Sequence, residues 1–230
     1  MLIDLHVHTI NGSHCSVLDP SVLLKYARGV KVDGVCITEH NTTWDLSGLK
    51  EAALEQGLRL FQGIEVNTDM GHVLAFGLPC YISGISKAET LRRVLDEHGG
   101  AMIIAHPFRG DISSFYGYSY YNTTPVLDME EICSRPIFDL VDAMEVANGG
   151  ATRDELNFSE RACEKLKISG TGGSDAHSAY GVGCCVTEFH EEVNSEKDLI
   201  SELKAGRFKA LDRHKQMPEL LDDMERYPVP

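Results

Sequence analysis

The chain has 230 residues, of which 43% are hydrophobic and 24% are charged, and this composition is typical of a globular protein. The formal net charge of -14 disfavours long-range attraction to duplex nucleic acid or to an anionic membrane. The longest apolar runs, such as AMIIA at 101–105, are too short to span a bilayer. A phosphate group bound by this acidic chain would need a locally positive site.

The domain organisation and the cellular location are predicted from composition. The length, and the absence of a Pro, Gly or Ser-rich linker, predict a single domain over residues 1–230. The seven cysteines are odd in number and form no C-x-x-C pair, so we expect reduced thiols and no disulfide framework. The first residues already resemble a strand and not a signal peptide, which predicts a cytoplasmic protein.

Short β-like runs alternate with helical segments along the chain, and this order is typical of an α/β fold with a parallel sheet. Several of the runs are apolar on both faces, as barrel strands are. The predicted strands are LIDLHVH, GVCITEH, RLFQGIEV, HVLAFGL, AMIIAHP, AMEVAN and the stretch that leads into GGSDAH.

The helices between these strands are predicted from capping residues. Asp19 followed by Pro20 predicts a helix start, and Gly29 predicts its end. A final helix is expected over residues 194–206, and a peripheral role is expected for the polar tail 213–230. Two capping boxes predict two more helices: Ser86 with Glu89, ending near Gly99, and Thr152 with Glu155, ending near Gly170.

One segment, RGDISSFYGYSYYNTTPVL at 109–127, has no clear periodicity and is rich in tyrosine. A loop of this length inside one domain is often functional. We predict that its part from Ser113 to Tyr121 forms a lid that faces the substrate. The alternative is a subunit contact, because tyrosine is also enriched at interfaces, and a homo-oligomer is therefore a further expectation.

Histidines and carboxylates gather where the predicted strands end. Any one of these histidines could be an ordinary buried side chain, but the carboxyl ends of parallel strands meet at one edge of the fold. Seven of the ten histidines, together with carboxylates, therefore predict a metal centre, and an imidazole-rich set suits Zn, Mn or Fe. The residues are His6, His8, His14, Glu39, His40, Glu65, His72, His106, Asp175 and His177.

The motifs DLHVHT, TEHN, a strand-end Glu, AHP and GSDAH resemble, in this order, the polymerase and histidinol phosphatase (PHP) family. The resemblance covers almost the whole chain. It implies a distorted seven-stranded β/α barrel of the TIM type, with a centre of two to three divalent transition metal ions that hydrolyses phosphate esters. It also implies three groups of ligands: His6, His8, Glu65 and Asp175; then Glu65, His72 and His106; then His14, His40 and His177.

The chain departs from the family pattern at its second motif. The family usually reads Thr-Asp-His, whereas this sequence has Thr38-Glu39-His40, which leaves Glu39 either a ligand or a residue behind the ligands. His14 matches one branch of the family only.

The predicted activity is the hydrolysis of a small phosphomonoester, such as a nucleotide or histidinol phosphate, by a hydroxide that bridges the metals. Arg109 is expected to bind the phosphate, with Glu65 and His177 also in catalytic roles; a salt bridge at the rim is the alternative for Arg109. The expected partner is a small phosphorylated substrate, with neither duplex nucleic acid nor a membrane.

Three alternatives remain open from the sequence. An amidohydrolase-like enzyme would hydrolyse a C–N or C–O bond, although no lysine stands at a strand end to form a carbamylated bridge. A nuclease would act on short oligonucleotides. A structural or regulatory metal module would have a site closed by protein ligands.

Overall fold

The computed structural model describes residues 1–109 and 128–226. Within these residues, one sheet of nine strands is flanked by helices. The strands are β1 (Leu2–Val7), β2 (Gly34–His40), β3 (Arg59–Thr68), β4 (Gly71–Phe76), β5 (Ala101–Ile104), β6 (Ala143–Asn148), β7 (Ser169–Gly173), β8 (Cys185–Phe189) and β9 (Phe208–Asp212). The α-helices are α1 (Pro20–Gly29), α2 (Ser47–Glu55), α3 (Ala88–His98), α4 (Met129–Cys133), α5 (Arg153–Leu166), α6 (Glu196–Ala205) and α7 (Met217–Arg226).

The sheet is nearly closed into a barrel. Its strand order is β7-β6-β5-β4-β3-β2-β1-β8-β9. The β7 end returns to the middle of the order, because Val7 bridges Ala176 and the Gly172 N–H donates to Thr187 Oγ1 at 2.9 Å. The first and last thirds of the sequence therefore lie side by side.

The expected count of seven strands is wrong, and the TIM-type detail is not confirmed. All seven predicted runs form strands, but β8 and β9 are added as an antiparallel pair, and β8 also runs antiparallel to β1. The expectation of a parallel sheet fails at β4 too, which is antiparallel to β3 and β5. The reason lies in the short link at Asp69 and Met70, since two residues can join antiparallel strands but cannot form a crossover.

The helix starts are mostly those that the capping residues predict. The Asp19 side chain accepts from Ser21 N–H at 2.8 Å, and Thr152 and Glu155 form the predicted capping box. The box predicted at Ser86 is wrong, because α3 begins after Lys87 without a side-chain cap. Helix α5 ends at Leu166, before the predicted Gly170, with Lys167 in the left-handed conformation.

A hydrophobic core lies on both faces of the sheet, and its inner part supports the strand ends. Leu74 and Phe76 belong to a fully buried cluster with Ile3 and Leu5, and they lie on the same face of β4 as His72. The register of β1 shifts between Asp4 and Val7. Such an irregularity interrupts the normal alternation of side chains along the strand. The consecutive residues Leu5 and His6 can therefore both point to the inside of the barrel. Each helix in the described ranges is too short or too polar to cross a membrane.

Candidate metal centre

The side chains predicted from the strand ends converge at one end of the barrel. They arrive on β1, β2, β3 and β4 and on the segments that follow β5 and β7. His106 and Asp175, directly beyond β5 and β7, have positive φ angles of 29° and 54°. Non-glycine residues adopt this region at an energetic cost and are enriched at functional sites. The backbone is thus held in a costly conformation where two of the predicted ligands stand.

The two histidines of β1 are fixed in orientation by their Nδ1 atoms. His6 Nδ1 lies 3.1 Å from Glu145 Oε1, and a carboxylate can only accept, so Nδ1 carries the proton. His8 Nδ1 lies 3.1 Å from Ser13 Oγ, whose own hydroxyl donates to Glu39 Oε2 at 2.5 Å. Ser13 must then accept from His8. Both Nε2 atoms are left as free lone pairs, the form of imidazole that binds metals.

Four acceptor groups meet at these Nε2 atoms. The Nε2 atoms of His6 and His8 are 3.0 Å apart. Asp175 Oδ1 lies 3.4 Å from His6 Nε2 and 3.3 Å from His8 Nε2. Glu65 Oε2 lies 3.4 Å and 3.1 Å from the same two atoms. Two carboxylates and two imidazole lone pairs repel one another unless a cation lies between them, so this group fits a divalent metal ion.

Glu65 connects this first group to a second one. Its other oxygen, Oε1, lies 2.8 Å from His72 Nδ1 and 3.1 Å from His106 Nε2. These three side chains offer ligand atoms within 4.8 Å of one another. Glu65 is completely buried and is shared by both groups. One carboxylate therefore supplies a ligand atom to each of the two groups.

A third group consists of His8, His40 and His177. The His177 Nδ1–H donates to the carbonyl of Asp175 at 2.8 Å, which leaves its Nε2 available. His40 Nδ1 and Glu65 Oε2 are 2.9 Å apart, yet both are buried without a hydrogen-bond partner in the described residues. Buried polar atoms in native proteins normally have partners, and a bound cation would supply one here.

His14, which was predicted with this third group, is exposed and does not join it. The structure leaves the first-loop histidine at the surface, and the group is instead completed by His8 from β1.

The pKa values of the central residues reflect the same concentration of negative charge. Burial opposes charging of His6, but the charges of Asp175, Glu65 and Glu145 outweigh it and raise the pKa of His6 well above its ordinary value. Burial likewise opposes charging of Glu65 and Asp175, yet the neighbouring histidines hold the pKa of both carboxyls below the usual range. Positive charge is therefore stabilised at this point, and both carboxylates remain ionised.

Glu39 lies behind the ligands and is not one of them. It is buried, and its oxygens accept from Ser13 Oγ, from the Thr9 backbone and hydroxyl, and from Trp44 Nε1 at 3.0 Å. These donors come from the loop after β1 and from Trp44, which follows β2, and none of the three metal-ligand groups includes Glu39. The sequence left two roles open for Glu39, and this geometry favours the supporting role.

Arg109 stands at the rim of the site. Its guanidinium contacts Asp175 Oδ2 at 2.6 Å and donates to Asn148 Oδ1 at 2.5 Å, and its side chain is 35% exposed. The salt bridge considered for it is therefore present, and the side chain also lines a cavity of about 320 Å³ together with His72 and His106. A group bound in this cavity would contact both the guanidinium and the second ligand group.

The sequence analysis missed Glu145. This buried residue of β6 holds His6 Nδ1 with Oε1, while Oε2 accepts from His106 N–H and Asn148 Nδ2, both at 2.8 Å. The sequence contained a signal for this role, because AMEVAN has a single carboxylate among mostly apolar residues, and the structure buries the whole strand. The predicted lid, Ser113 to Tyr121, lies outside the described residues.

Comparison with known proteins assigns the family. A family model described as PHP-associated matches residues 153–208. An uncharacterised protein of Methanocaldococcus jannaschii is 31% identical over 118 residues, which cover 47% of this chain and 68% of that protein. A two-domain protein from Bacteroides vulgatus, described as containing a PHP-like metal-dependent phosphoesterase, superposes with a TM-score of 0.65 and 18% identity over 95% of this chain and 69% of that one.

The chain belongs to the PHP family. A second solved structure, an amidohydrolase from Chromobacterium violaceum with bound sulfate, matches this PHP protein with a TM-score of 0.56 and 18% identity, over 92% of this chain and 98% of that one. At this level of identity the likeness shows a shared fold. The PHP fold thus accommodates proteins described by two different hydrolytic chemistries.

Proposed function

We propose that this PHP protein hydrolyses small phosphomonoesters with two or three divalent transition metal ions, Zn, Mn or Fe. The observation that carries the proposal is the convergence of His6 and His8 with Glu65 and Asp175, next to Arg109, which contacts Asp175 and lines a cavity with His72 and His106. The partner is a small phosphorylated molecule, such as a nucleotide or histidinol phosphate.

The residues present fit such a centre. His6, His8, Glu65 and Asp175 would hold one ion, Glu65 with His72 and His106 a second, and His8, His40 and His177 a third. When bound, such ions supply an activated water and neutralise charge on the phosphate oxygens.

The surrounding residues have roles of their own. Glu145 and Ser13 accept from the Nδ1 atoms of His6 and His8, so that Nε2 of each ring is turned towards the ligand group and would coordinate when a metal ion displaces any proton from it. Arg109 would donate to phosphate oxygens in the cavity and stabilise the charge that develops there. Ser174 is not a competing nucleophile, because its hydroxyl donates to the His6 carbonyl at 3.3 Å within the buried core.

The proposal is tested by metal reconstitution and a hydrolysis screen. Protein loaded with Zn, Mn or Fe is assayed on phosphomonoesters, phosphodiesters, short oligonucleotides, p-nitroanilides and lactones. We expect turnover of monoesters that is lost in Glu65→Gln and retained in His190→Ala, an exposed histidine remote from the cluster in sequence. Activity confined to anilides or lactones would contradict the proposal.

The second candidate is an amidohydrolase-like activity on a C–N or C–O bond. The Chromobacterium violaceum amidohydrolase has the same fold, which favours including these substrates in the screen. Against this candidate, Arg109 and the metals would make the site strongly positive, which suits a phosphate dianion better than a neutral amide. The third candidate is a nuclease restricted to short oligonucleotides. Hydrolysis of the oligonucleotides without hydrolysis of monoesters in the same screen would identify it.

Cellular location and assembly remain predictions. We propose a cytoplasmic protein that binds neither duplex nucleic acid nor membranes, from its net charge of -14, and that is able to form a homo-oligomer.

A further inference from the structure

A second set of potential metal ligands lies outside the strand-end cluster. Cys184, Cys185 and His214 offer two sulfur atoms and a ring nitrogen, all within 4.8 Å of one another. None of them belongs to the three groups described above. Cys184 and Cys185 are buried and unbridged, whereas the His214 side chain is 46% exposed.

The last two strands bring these residues together. Cys185 begins β8 and lies opposite Asp212 at the end of antiparallel β9. Arg213 N–H then donates to the Cys184 carbonyl at 2.7 Å, which fastens the chain beyond β9 to the residue before β8. The next residue, His214, places its Nδ1 3.9 Å from Cys185 Sγ. This site therefore depends on the strand pair that the sequence pattern did not reveal.

The donor set and its spacing suit zinc. Zinc prefers four tetrahedral ligands from cysteine, histidine and carboxylates. Bond lengths of about 2.3 Å to sulfur and 2.0 Å to nitrogen place a ligating sulfur and a ligating nitrogen about 3.5 Å apart. The observed 3.9 Å needs only a small contraction. A carboxylate is also at hand, because Asp212 Oδ1 lies 2.7 Å from His214 Nδ1.

The hydrogen bond from Cys184, burial and the nearby carboxylates raise the pKa of the Cys185 thiol, so this thiol ionises only when a cation binds beside it. Arg213 is buried, donates to the carbonyls of Val30 and Gly183, and faces Cys184 electrostatically. Arg153 lies 3.3 Å from Asp212 Oδ2. Two thiolates and one carboxylate carry three negative charges, which a zinc ion and these two guanidinium groups would offset.

We propose that Cys184, Cys185 and His214 bind a structural zinc ion, and that the Asp212 carboxylate, which lies beside His214 Nδ1 but outside the three-residue group, turns to become the fourth ligand. Both thiols lose their protons to solvent on binding. The proton that His214 Nδ1 donates to Asp212 Oδ1 moves through solvent to Nε2 of the same ring, so that Nδ1 coordinates the ion. The ion ties the start of β8 to the end of β9 and to the turn that leads into α7. All four ligands are protein groups, so this site is closed and has no role in substrate hydrolysis.

The test uses Co²⁺ in place of zinc, on reduced, metal-free full-length protein. Cobalt bound by thiolates gives a near-ultraviolet sulfur-to-metal charge-transfer band, whereas cobalt in the histidine and carboxylate cluster has no sulfur ligand and gives none. We expect the amplitude of this band at saturating cobalt to correspond to one thiolate-bound ion per chain in the wild type, and the band to disappear in Cys185→Ser. Loss of outer-shell partners alone weakens metal binding by about 10- to 100-fold, so His214→Ala should weaken cobalt binding by at least as much.

Matched controls separate this site from the hydrolytic centre and from misfolding. His190→Ala removes an exposed histidine and should leave the band unchanged, as should Cys163→Ser, which removes a buried thiol from another part of the core. Because His214 is half exposed, its variant tests the site even if Cys185→Ser fails to fold. No band in the wild type, a band that survives replacement of both Cys184 and Cys185 by serine, or unchanged affinity in His214→Ala would overturn the proposal.

Discussion

Glu65 is the residue on which the candidate centre depends most. It is fully buried, both of its oxygens face histidines, and it contributes to two of the three ligand groups. Removing one charged partner from a buried cluster leaves the others uncompensated, and such losses are larger than those of surface pairs. The other ligands each serve fewer neighbours, with the exception of His8, which belongs to two groups.

Glu65→Gln should therefore abolish most activity and lower the metal content by at least one ion per chain. The amide keeps the size of the side chain but removes the negative charge that two ions would share. Elemental analysis and kcat on the best monoester measure the two effects. Glu97→Gln, at an exposed position of α3, is the matched control and should behave as the wild type. Full metal content and activity in Glu65→Gln would show that the carboxylate is not a bridge.

Glu39 acts on the centre through another residue. The Ser13 hydroxyl donates to it and accepts from His8 Nδ1, so the carboxylate fixes both the hydroxyl and the ring. Glu39→Gln should weaken metal affinity by about 10- to 100-fold, the usual effect of losing a partner behind a metal ligand. A competition titration with a chelator measures the affinity, and activity should return at saturating metal because the ligands remain. Activity that stays low at saturating metal would assign Glu39 a direct role.

At the scale of the elements, β7 shows how the barrel is closed. Its sequence SGTGG is almost without side chains, and a Cβ on Gly172 would lie 2.3 Å from the carbonyl oxygen of Val186. A Cβ on Gly173 would lie 2.5 Å from the Cβ of His6. Close approach of backbones requires glycine at these positions. The same small residues that join β7 to β8 therefore leave room for the first ligand of the metal centre.

Gly172→Ala should destabilise the protein by about 1 to 3 kcal/mol, because the neighbour is backbone and cannot move aside easily. The free energy of unfolding is measured by chemical denaturation of the metal-free protein. Gly48→Ala is the control: a Cβ there meets nothing within 4 Å, and alanine favours a helix, so stability should be unchanged or slightly raised. Equal stability of the two variants would mean that β7 and β8 are not packed as described.

At the scale of the whole molecule, the metal centre joins distant parts of the chain. His6, Glu65 and Asp175 come from β1, β3 and the segment after β7, and they meet only in the folded state. A ligand that binds the folded state alone stabilises it by mass action, by about 2.7 kcal/mol at a free concentration 100 times the Kd. Metal bound to these three residues would therefore favour closure of the barrel.

Removal of metal by a chelator should lower the Tm, and addition of the preferred ion should restore it in a concentration-dependent manner. Scanning calorimetry at several metal concentrations measures the shift. The Glu65→Gln variant should show a much smaller shift than the wild type, because it lacks the shared carboxylate. A Tm that is independent of metal in the wild type would contradict a centre built from distant strands.

The α/β class of the fold, its first seven strands and the candidate metal ligands at the strand ends are all predicted from local sequence patterns. Alternating patterns and capping residues act locally, and ligands such as His6 and Asp175 follow strands whose ends must meet in an α/β fold. These features are encoded within a few residues of where they act. The Thr152 cap, for example, needs only Glu155 to form.

Other features follow from long-range contacts alone. The direction of β4, the pairing of β8 with β1 and the exposure of His14 depend on contacts between residues far apart in sequence, which no local pattern specifies. The role of Glu145 was hidden for the same reason, since its partner His6 is 139 residues away. The sequence pattern is the same for a buried carboxylate that binds a metal ion and for one that orients a metal-binding histidine. Only the atoms around the carboxylate in the folded structure distinguish these two roles.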